Sequence, residues 1–572
     1  MNIVRINANS NAIKYEEIAR NSKYYLLGAR GLTSQIVHDE VPPRCDPLGP
    51  ENKLILANGL LTGSPFPNSA RTSIGAKSPL TNGIKEANVG GRPSFMLAKH
   101  GIRALVFEDV SSELKILLIN EKGIELLPGN EYKGLGNYEL HQKLRDKYGE
   151  KIGVYSIGPA GEHRLPSATI AANDLEGYPS RHAARGGLGA VMGSKGIKAI
   201  VVIPSKESKV KVHDLKKFRE ASTPFAKQLA ETKKVFSTFG TPLMMRIMSE
   251  HQGIPTKNFR FGSFDKISNI SGEKLHELVM ARGGKKNLAC SPNCVIKCSN
   301  LIVDENGNHM TSSLEYETMC LNGTNLLIDD LDSLAKIDRF CDDVGIDTIE
   351  FGGTVGVAMD CGKIPWGDSE AVFNILDKEI RENTEIGKLY GYGVRNIGKR
   401  LNAQRIPEIK GQGISAYDPR VFKGMGVTYA TSPMGADHTS GAAIAGRVPS
   451  QTKDYGELTK NEGKFDLSFE LQVYTTLLDS MGCCYFIGPS YENMEIITAA
   501  INAMYNINLT RAEVINIGKH ILKTELKFNE KAGITKEYND VPKFLKLEPS
   551  EPSGLKFTFK KEELQDFWKK LE

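Results

Sequence analysis

The stretch that decides the fold class is Ile197-Lys198-Ala199-Ile200-Val201-Val202-Ile203-Pro204-Ser205, because one sequence pattern ends there and another begins. Its first seven residues are mostly apolar and β-branched, which predicts a buried strand that the proline then ends. Upstream, short apolar runs such as 104–107 and 116–119 alternate with Gly, Pro and Asn. Residues 1–206 are therefore predicted to be β-rich, with a strand pair at the start and one helix near 138–148.

Downstream of this stretch, apolar residues recur at helical spacing, as Leu334, Ile337 and Cys341 do. The same spacing predicts helices over 212–231, 331–343, 466–482, 491–505 and 511–530. The predicted class is α+β, with a β-rich domain over 1–206 and two mainly α-helical domains over 207–409 and 410–572. The last forty residues carry three prolines and are expected to wrap over the surface as a tail. The sequence shows no internal repeat.

Length and composition restrict the class of protein. At 572 residues the chain is too long for one hydrophobic core, and 40% apolar with 25% charged residues is typical of globular proteins. No window reaches the roughly 18 consecutive apolar residues of a membrane span, so no membrane segment is predicted. The 73 basic and 68 acidic residues leave a thin net charge of +5, which makes no case for nucleic acid. Nine cysteines, an odd number, favour a reduced cytoplasmic setting.

The sharpest local signal is Cys290-Ser291-Pro292-Asn293-Cys294-Val295-Ile296-Lys297-Cys298. Ser291 is a good N-cap and Pro292 favours the first helical position, so a helix is predicted to begin here with Cys294 and Cys298 on one face. Its positive end would suit a negatively charged metal–sulfur centre. The spacing favours an iron–sulfur cluster over structural zinc, which prefers Cys-x2-Cys and a nearby histidine, and free thiols are a third alternative. A fourth ligand must come from elsewhere, for example from Cys483-Cys484.

Glycine is over-represented, at 56 of 572 residues, where about 7% is typical. Four stretches use it beyond the needs of secondary structure: 88–92, 181–189, 352–353 and 418–426. The first two place arginine beside glycine, as in Gly90-Gly91-Arg92 and Arg185-Gly186-Gly187, a pairing that suits phosphate. Neither has the spacing of a P-loop or of a dinucleotide fingerprint. Each alone is more simply a tight turn, but their number favours a large phosphorylated cofactor.

Several further motifs occur in a recognisable order, among them Leu27-Gly28-Ala29-Arg30-Gly31-Leu32, Leu314-Glu315-Tyr316-Glu317 and Asp479-Ser480-Met481-Gly482-Cys483-Cys484. With these segments the chain resembles the tungsten-dependent aldehyde ferredoxin oxidoreductase family over essentially its whole length. The other matching segments are 46–54, 77–81, 185–195, 257–259, 290–298, 342–348, 418–420 and 429–431.

The resemblance implies an N-terminal β-rich base domain and two helical domains that enclose a bis-pterin metal site. Two pterins would chelate tungsten, or alternatively molybdenum, beside a [4Fe–4S] cluster. The cluster ligands map to Cys290, Cys294, Cys298 and Cys484. Cofactor-binding positions are Arg71, Gly90, Gly91, Arg181, Arg185, Gly186, Gly187, Asp342, Asp347, Asp479 and Cys483. A Mg²⁺ ion bridging the pterin phosphates would take the backbone carbonyls of Asn88 and His182. Without the resemblance, the aspartates would more simply be helix caps or solvated groups.

The resemblance also implies that Glu317 accepts a proton and that His438 orients the substrate. The implied reaction oxidises a small aldehyde to a carboxylic acid and sends electrons to ferredoxin or an iron–sulfur subunit. Two alternatives stay open: a same-family enzyme that acts on a non-aldehyde substrate or reductively in a complex, and a zinc-stabilised binding protein without redox activity. The chain departs from the best-known members at Ser440, where they have a phosphate-binding lysine, and at 336–339, which lacks their interface iron motif.

Overall fold

The computed structural model describes residues 1–444 and 446–571, so position 572, the end of the predicted third domain, lies outside it. The chain divides into two compact units. Unit 1 comprises Met1–Lys234, Ala289–Ile296 and Val473–Gly533; unit 2 comprises Val235–Leu288, Lys297–Gln472 and the residues after Gly533. The α+β class is confirmed, with a β-rich N-terminal part and a mainly helical remainder. The three-domain division stays a prediction.

Unit 1 is built on two six-stranded sheets. The first has the order β2-β1-β6-β3-β4-β5, in which only β1 and β6 are parallel neighbours. Its strands are β1 (Asn2–Asn7), β2 (Ile13–Glu17), β3 (Leu54–Asn58), β4 (Thr72–Lys77), β5 (Ile84–Val89) and β6 (Ile102–Glu108). The second has the order β11-β10-β9-β12-β7-β8, in which only β7 and β12 are parallel. Its strands are β7 (Lys115–Asn120), β8 (Gly123–Pro128), β9 (Gly153–Ser156), β10 (Ile170–Ala172), β11 (Arg181–Ala183) and β12 (Ile197–Val202).

The two sheets share one topology, although the sequence shows no repeat. Each begins with a hairpin, continues through a helix into three antiparallel strands, and ends with a helix and a strand parallel to the first. Strands β1 to β6 therefore correspond one by one to β7 to β12. The helices are α1 (Ala29–Glu40) and α2 (Pro93–Lys99) in the first half, and α3 (Asn137–Tyr148), the short α4 (Pro159–Glu162) and α5 (Leu188–Ser194) in the second.

The apolar core of unit 1 lies in three places: between the two sheets and on the outer face of each sheet. Along each strand, successive side chains point to opposite faces of the sheet, as expected for a period of two residues. Leu54 and Leu56 face the core that also contains Leu117 and Ile119 of the second sheet. Their neighbour Ile55 faces the opposite core, which α1 and the C-terminal helix over 511–532 cover. The outer face of the second sheet packs in the same way against α3.

Unit 2 is mainly helical but also contains a small antiparallel sheet that the sequence pattern did not predict. This sheet has strands β13 (Lys285–Leu288), β14 (Ser299–Val303) and β15 (His309–Ser312), and a separate pair consists of β16 (Glu408–Ile409) and β17 (Gln412–Gly413). After α6 (Leu215–Thr232) of unit 1, the helices are α7 (Lys234–Phe239), α8 (Met244–Glu250), α9 (Gly272–Ala281), α10 (Tyr316–Asn322), α11 (Leu331–Val344), α12 (Thr348–Asp360), α13 (Ser369–Asn374), α14 (Glu385–Gly391), α15 (Val394–Arg400) and α16 (Lys423–Thr431).

The C-terminal part returns to unit 1 and then to unit 2. Its helices are α17 (Lys464–Met481), α18 (Tyr491–Tyr505), α19 (Arg511–Ala532), α20 (Lys543–Leu547) and α21 (Lys561–Gln565). The long helices match the predicted ones closely. The final segment is more than a surface tail, because Phe559 and Phe567 are buried and stack on Phe465 of α17. Within the described ranges, no helix is long and apolar enough to cross a membrane.

Candidate active site

The glycine-rich segments of unit 1 occupy equivalent places in the duplicated fold. Asn88 lies in β5 and His182 in β11, which are edge strands of the two sheets and pack against each other. Gly90-Gly91 follows β5 and precedes α2, and Gly186-Gly187 follows β11 and precedes α5. The two loops therefore follow equivalent strands of the duplicated fold, although residues 91 and 186 are 95 positions apart in the sequence.

In the first loop, glycine allows the backbone to approach charged side chains closely. The Arg71 guanidinium donates to both the side-chain oxygen and, at 3.3 Å, the carbonyl oxygen of Asn88. A Cβ on Gly90 would stand 3.3 Å from Arg71 Nη1 and 3.5 Å from Cys290 Sγ. Gly91 has a φ of +106°, which side-chain-bearing residues rarely adopt. This crowding fits a site where backbone must lie against a bound group.

The second loop has the same character. Gly186 and Gly187 have φ values of +86° and +74°, and a Cβ on either would collide, with the Lys85 side chain and the Pro166 carbonyl oxygen respectively. Ser78 Oγ donates to the Gly186 carbonyl oxygen at 2.7 Å, which fixes the turn. Glycine is therefore required at both positions by backbone conformation and by space.

The polar residues around this loop are also held in place. The His182 ring is engaged at both nitrogens, by Thr169 Oγ1 at 2.7 Å and by the Pro179 carbonyl oxygen at 3.0 Å. The resemblance assigns the His182 carbonyl rather than its ring to magnesium, and an occupied ring agrees with that. Arg181 lies in β11 beside His182, and Arg185 is buried just before the glycines. Together these residues supply cationic and backbone groups of the kind that hold phosphate.

The cysteine segment does not form the helix that the sequence pattern predicts. Residues 289–298 form a turn-rich connection between β13 and β14. Asn293 and Lys297 have φ values of +60° and +53°, which a right-handed helix excludes. The predicted helix was wrong because backbone groups of this segment hydrogen-bond to residues far away in the sequence. Without a helix, there is no helix dipole here to favour a negatively charged cluster.

The main distant partner is Asn68, a buried residue that the sequence analysis missed. Its side chain donates to Cys294 Sγ at 3.4 Å and accepts from the Val295 N–H at 3.1 Å. Its backbone N–H donates to the Asn293 carbonyl at 2.9 Å, and its carbonyl accepts from the Cys484 N–H at 2.8 Å. Asn68 thereby links the cysteine loop to Cys484, and its φ of +55° is one that asparagine tolerates.

Within unit 1, the donor set of the cysteine loop suits a metal–sulfur group. The pKa of the Cys290 thiol is lowered well below its ordinary value because Cys294 hydrogen-bonds to its sulfur and because Arg181 and Arg71 are positively charged. Thiolates, rather than thiols, bind iron. Cys298 follows in unit 2, half-buried and immediately before β14. In the part of the chain that the structure describes, no three His, Cys, Asp or Glu side chains form a group that could hold a single metal ion.

Asp479 belongs to a buried charge network that the sequence motifs did not reveal. Arg30 donates to both Glu525 carboxylate oxygens at 2.9 Å and to Asp479 at 3.3 Å. Burial and the nearby Glu86 carboxylate raise the pKa of Asp479 well above its ordinary range. Cys483 is fully buried, and burial also raises the pKa of its thiol. The network ties α1, α17 and α19 together just before Cys484.

Unit 2 brings Glu317 and His438 together. The Glu317 Oε1 and His438 Nε2 atoms are 3.7 Å apart, and the two side chains are 13% and 21% exposed. The Ala416 N–H donates to Glu317 Oε2 at 2.8 Å and so orients the carboxylate. His438 Nδ1 is buried and has no hydrogen-bond partner among the described residues. The Tyr417 ring lies 6.2 Å from the His438 ring, centre to centre.

Asp342 and Asp347 lie at the junction between α11 and α12. Gly345 ends α11 with a φ of +76°, and Asp347 caps α12 by accepting from the Ile349 N–H at 2.9 Å. The capping role that the sequence allowed for Asp347 is thus real. Thr318, the residue after Glu317, hydrogen-bonds to Thr348 at 2.9 Å, so this junction lies beside the Glu317 helix.

The chain matches models of a known protein family. The family model described as the aldehyde ferredoxin oxidoreductase N-terminal domain matches residues 3–204, and the model for domains 2 and 3 of the same family matches residues 219–570. Tungsten-containing aldehyde ferredoxin oxidoreductases from Pyrococcus abyssi and Pyrococcus furiosus are each 31% identical, over 96% of this chain and 92% of theirs.

The chain is also similar to two more distant proteins. A protein of Pyrococcus furiosus named as the WOR-like subunit of an aliphatic sulfonate oxidoreductase is 27% identical over 89% of this chain and 82% of its own. The solved active-site complex of benzoyl coenzyme A reductase with 1,5-dienoyl-CoA has a TM-score of 0.82 and covers 100% of this chain and 94% of that one. At 20% identity, the latter similarity shows a shared fold.

Proposed function

Because the chain belongs to the aldehyde ferredoxin oxidoreductase family, we propose that it oxidises an aldehyde to a carboxylic acid and passes the electrons to a ferredoxin or an iron–sulfur subunit. In the balanced reaction, aldehyde and water give the carboxylic acid, two protons and two electrons. The observation that carries the proposal is the Glu317–His438 pair, two proton-holding groups that lie 3.7 Å apart and are largely shielded from solvent.

Glu317 is the proposed proton acceptor. Its Oε2 is held by the Ala416 N–H, so the carboxylate cannot rotate freely and Oε1 stays directed at His438. A general base must be fixed within reach of the proton that it takes. His438 is the proposed orienting group, because its Nδ1 is the ring nitrogen left to hydrogen-bond a substrate oxygen.

Aromatic side chains supply the apolar side of the proposed substrate site. Tyr417 lies against His438, and the Tyr316 ring is 5.2 Å from the Tyr417 ring. Both tyrosines are buried, and Tyr316 donates to the Ala416 carbonyl oxygen at 2.5 Å. These rings exclude water from the proton-holding pair and suit the hydrocarbon part of an aldehyde.

The residues of the chain fit the two cofactors that family membership implies. When bound, a tungsten bis-pterin accepts the electron pair from the substrate and a [4Fe–4S] cluster passes electrons on singly. The pterins would be held by the two glycine loops with Arg71, Arg181 and Arg185, and by Asp342, Asp347, Asp479 and Cys483. The cluster would be held by Cys290, Cys294, Cys298 and Cys484. A bridging Mg²⁺ ion at the Asn88 and His182 carbonyls stays a prediction.

Metal analysis of anaerobically purified protein tests the cofactor content. About one tungsten and about four iron atoms per chain are expected for one pterin-bound metal and one [4Fe–4S] cluster. Molybdenum in place of tungsten would change the metal but not the reaction class. Stoichiometric zinc without tungsten, molybdenum or iron would refute the proposal and support the non-redox binding protein.

Glu317→Gln tests the assignment of the base. The amide keeps the shape and the contact to the Ala416 N–H but cannot accept a proton, so turnover should fall by about 10²–10⁴-fold with tungsten content unchanged. Glu370→Gln, an exposed change of the same kind on α13, is the control and should leave turnover unaltered. Loss of tungsten in the Glu317 variant would instead make this residue structural.

Cys298→Ala tests the cluster ligands. It should abolish the EPR signal of the reduced cluster, whereas Cys361→Ala, a second half-buried cysteine outside the site, should leave the signal intact. An unchanged spectrum in the Cys298 variant would remove this residue from the ligand set.

A non-aldehyde substrate is the second candidate, and the similarity to the aliphatic sulfonate oxidoreductase subunit favours keeping it. An anaerobic panel of aldehydes and aliphatic sulfonates, with ferredoxin or viologen dye as acceptor, separates the two. Turnover with sulfonates alone would replace the aldehyde assignment.

A further inference from the structure

The Tyr316 side chain, one residue before the proposed base, holds the same piece of backbone that holds the base. The Tyr316 hydroxyl donates to the Ala416 carbonyl oxygen at 2.5 Å, and the Ala416 N–H donates to Glu317 Oε2 at 2.8 Å. Two successive side chains at the start of α10 therefore bind the two peptide groups on either side of one residue. The first contact restrains the residue whose N–H makes the second.

Ala416 is the central residue of a tight turn, which we call the 415–417 turn. The Tyr417 N–H donates to the Ser415 carbonyl oxygen at 2.7 Å, a contact between residues i and i+2 that is typical of a γ-turn. The N–H and the carbonyl of the central residue take no part in this hydrogen bond, so both need partners elsewhere. Glu317 and Tyr316 are those partners.

The same turn also makes the aromatic contact to His438. Tyr417 ends the turn, and its ring centre lies 5.2 Å from that of Tyr316 and 6.2 Å from that of His438. Tyr316 thus contacts the turn at two successive residues. One of them orients the Glu317 carboxylate, and the other packs against the His438 ring. A displacement of the turn would therefore disturb both members of the pair.

Tyr316 is itself firmly held. Its side chain is buried, and its backbone N–H donates to Thr241 Oγ1 at 2.9 Å. The hydroxyls of Thr241 and Ser313 both bind the carboxylate of Glu315, which precedes Tyr316 and caps α10. Burial raises the pKa of the Tyr316 phenol well above its ordinary value, so its hydroxyl stays protonated and remains a donor.

We propose that Tyr316 is a positioning residue that sets the geometry of the Glu317–His438 pair through the 415–417 turn. This inference rests on the proposed function, because it gives Tyr316 a role relative to the proposed base. Tyr316 acts on Glu317 through the Ala416 backbone and on His438 through the Tyr417 ring. Its hydroxyl restrains the backbone that presents an N–H to the base and takes no part in proton transfer. A base displaced by as little as 1 Å can lose much of its effect.

Tyr316→Phe tests the proposal, because it keeps the ring beside Tyr417 and removes the hydroxyl. The matched control is Tyr455→Phe, which removes another buried tyrosine hydroxyl of unit 2, one that donates to Glu470 at 2.8 Å. Aldehyde oxidation by the holoenzyme is measured with a viologen dye as acceptor. Exchange of the Ala416 and Tyr417 amides is measured in parallel by mass spectrometry with fragmentation of the peptides.

Tyr316→Phe should lower kcat about tenfold and leave the KM for the aldehyde within about twofold of wild type, because the base moves while the apolar ring stays. Exchange of the Ala416 and Tyr417 amides should become about tenfold faster. Tyr455→Phe should change neither quantity. In the Glu317→Gln background, Tyr316→Phe should lower kcat by no more than about twofold, because residues that act as one unit are not additive.

If the wild-type enzyme is active, an unchanged kcat in Tyr316→Phe would overturn the proposal, and so would the same fall in both tyrosine variants. An equal fall with and without Glu317→Gln would overturn it too, because the hydroxyl would then act independently of the base. The failure of the proposed function looks different: wild-type protein would oxidise no aldehyde. Amide exchange would still decide whether Tyr316 holds the turn, and unchanged exchange in Tyr316→Phe would refute that hold.

Discussion

Removal of Arg30 should strongly destabilise unit 1, because its side chain holds a buried carboxylate. The guanidinium is 1% exposed and makes a two-point contact with Glu525, which is fully buried. In Arg30→Met, the side chain keeps a similar length but loses its charge. The Glu525 carboxylate is then left buried with Ser34 Oγ, at 2.8 Å, as its remaining side-chain donor in the described structure.

The size of the effect follows from burial. Removal of one partner of a buried ion pair costs about 3–5 kcal/mol, because the other charge stays desolvated and uncompensated. Asp479, the second partner of Arg30, should add little, since its raised pKa already favours the neutral form. The double variant Arg30→Met/Glu525→Met removes both charges at similar volume and should lie within about 1 kcal/mol of wild type.

Hydrogen exchange read by mass spectrometry is the assay, because it reports on α1 and α19 separately from unit 2. Protection of amides in these helices should fall roughly a hundred- to a few-thousand-fold in Arg30→Met, and should largely return in the double variant. Arg44→Met, an exposed change beside the same helices, is the control and should cost under about 0.5 kcal/mol. If protection stays as low in the double variant as in Arg30→Met, the unpaired Glu525 charge is not the source of the lost stability.

Three further predictions concern other buried polar groups. Asn68→Asp keeps the acceptor oxygen of the side chain but removes the N–H group that donates to Cys294. The reduction potential of the proposed cluster should therefore become more negative, as measured by an EPR-monitored titration. An unchanged potential would argue against this contact. Burial lowers the pKa of Lys410 to about 7, so the native state loses stability as pH falls from about 10 to 7. Lys410→Met should therefore raise the thermal midpoint more at pH 6 than at pH 9. Equal gains at the two pH values would contradict this prediction. Arg420→Met leaves the fully buried Asp418 unpaired and should cost about 3–5 kcal/mol, measured as lost exchange protection in unit 2; wild-type protection would refute it.

The sequence was sufficient for elements whose signal is local. The apolar runs predicted β6, β7 and β12, the start of the chain predicted the β1–β2 pair, and the helical spacing predicted α11, α17, α18 and α19 to within a few residues. Alternation and helical periodicity depend only on neighbouring positions, so one sequence is enough to read them.

Features that depend on distant contacts could not be predicted in this way. Ser291 and Pro292 are good local signals for a helix start, yet hydrogen bonds with Asn68, more than 220 residues earlier in the chain, hold that segment in turns. The duplication of the sheets could not be predicted from the sequence for a related reason. Strand order and strand direction recur in the two sheets, but the side chains do not. The Glu317–His438 pair was named only through the resemblance, because nothing local links residues 121 positions apart, the difference between 438 and 317.

The duplication also explains why the site can be symmetric in its backbone and asymmetric in its chemistry. Two equivalent glycine loops suit two copies of one phosphate-bearing ligand, which is what a bis-pterin requires. The segments that precede the equivalent strands β4 and β10 make different contacts, however. Before β4, Asn68 contacts the cysteine loop; before β10, Thr169 instead holds the His182 ring. Within the described residues, the first half of the repeat therefore carries the residue that joins the cysteine loop to Cys484, and the equivalent segment of the second half holds a ring beside the other glycine loop.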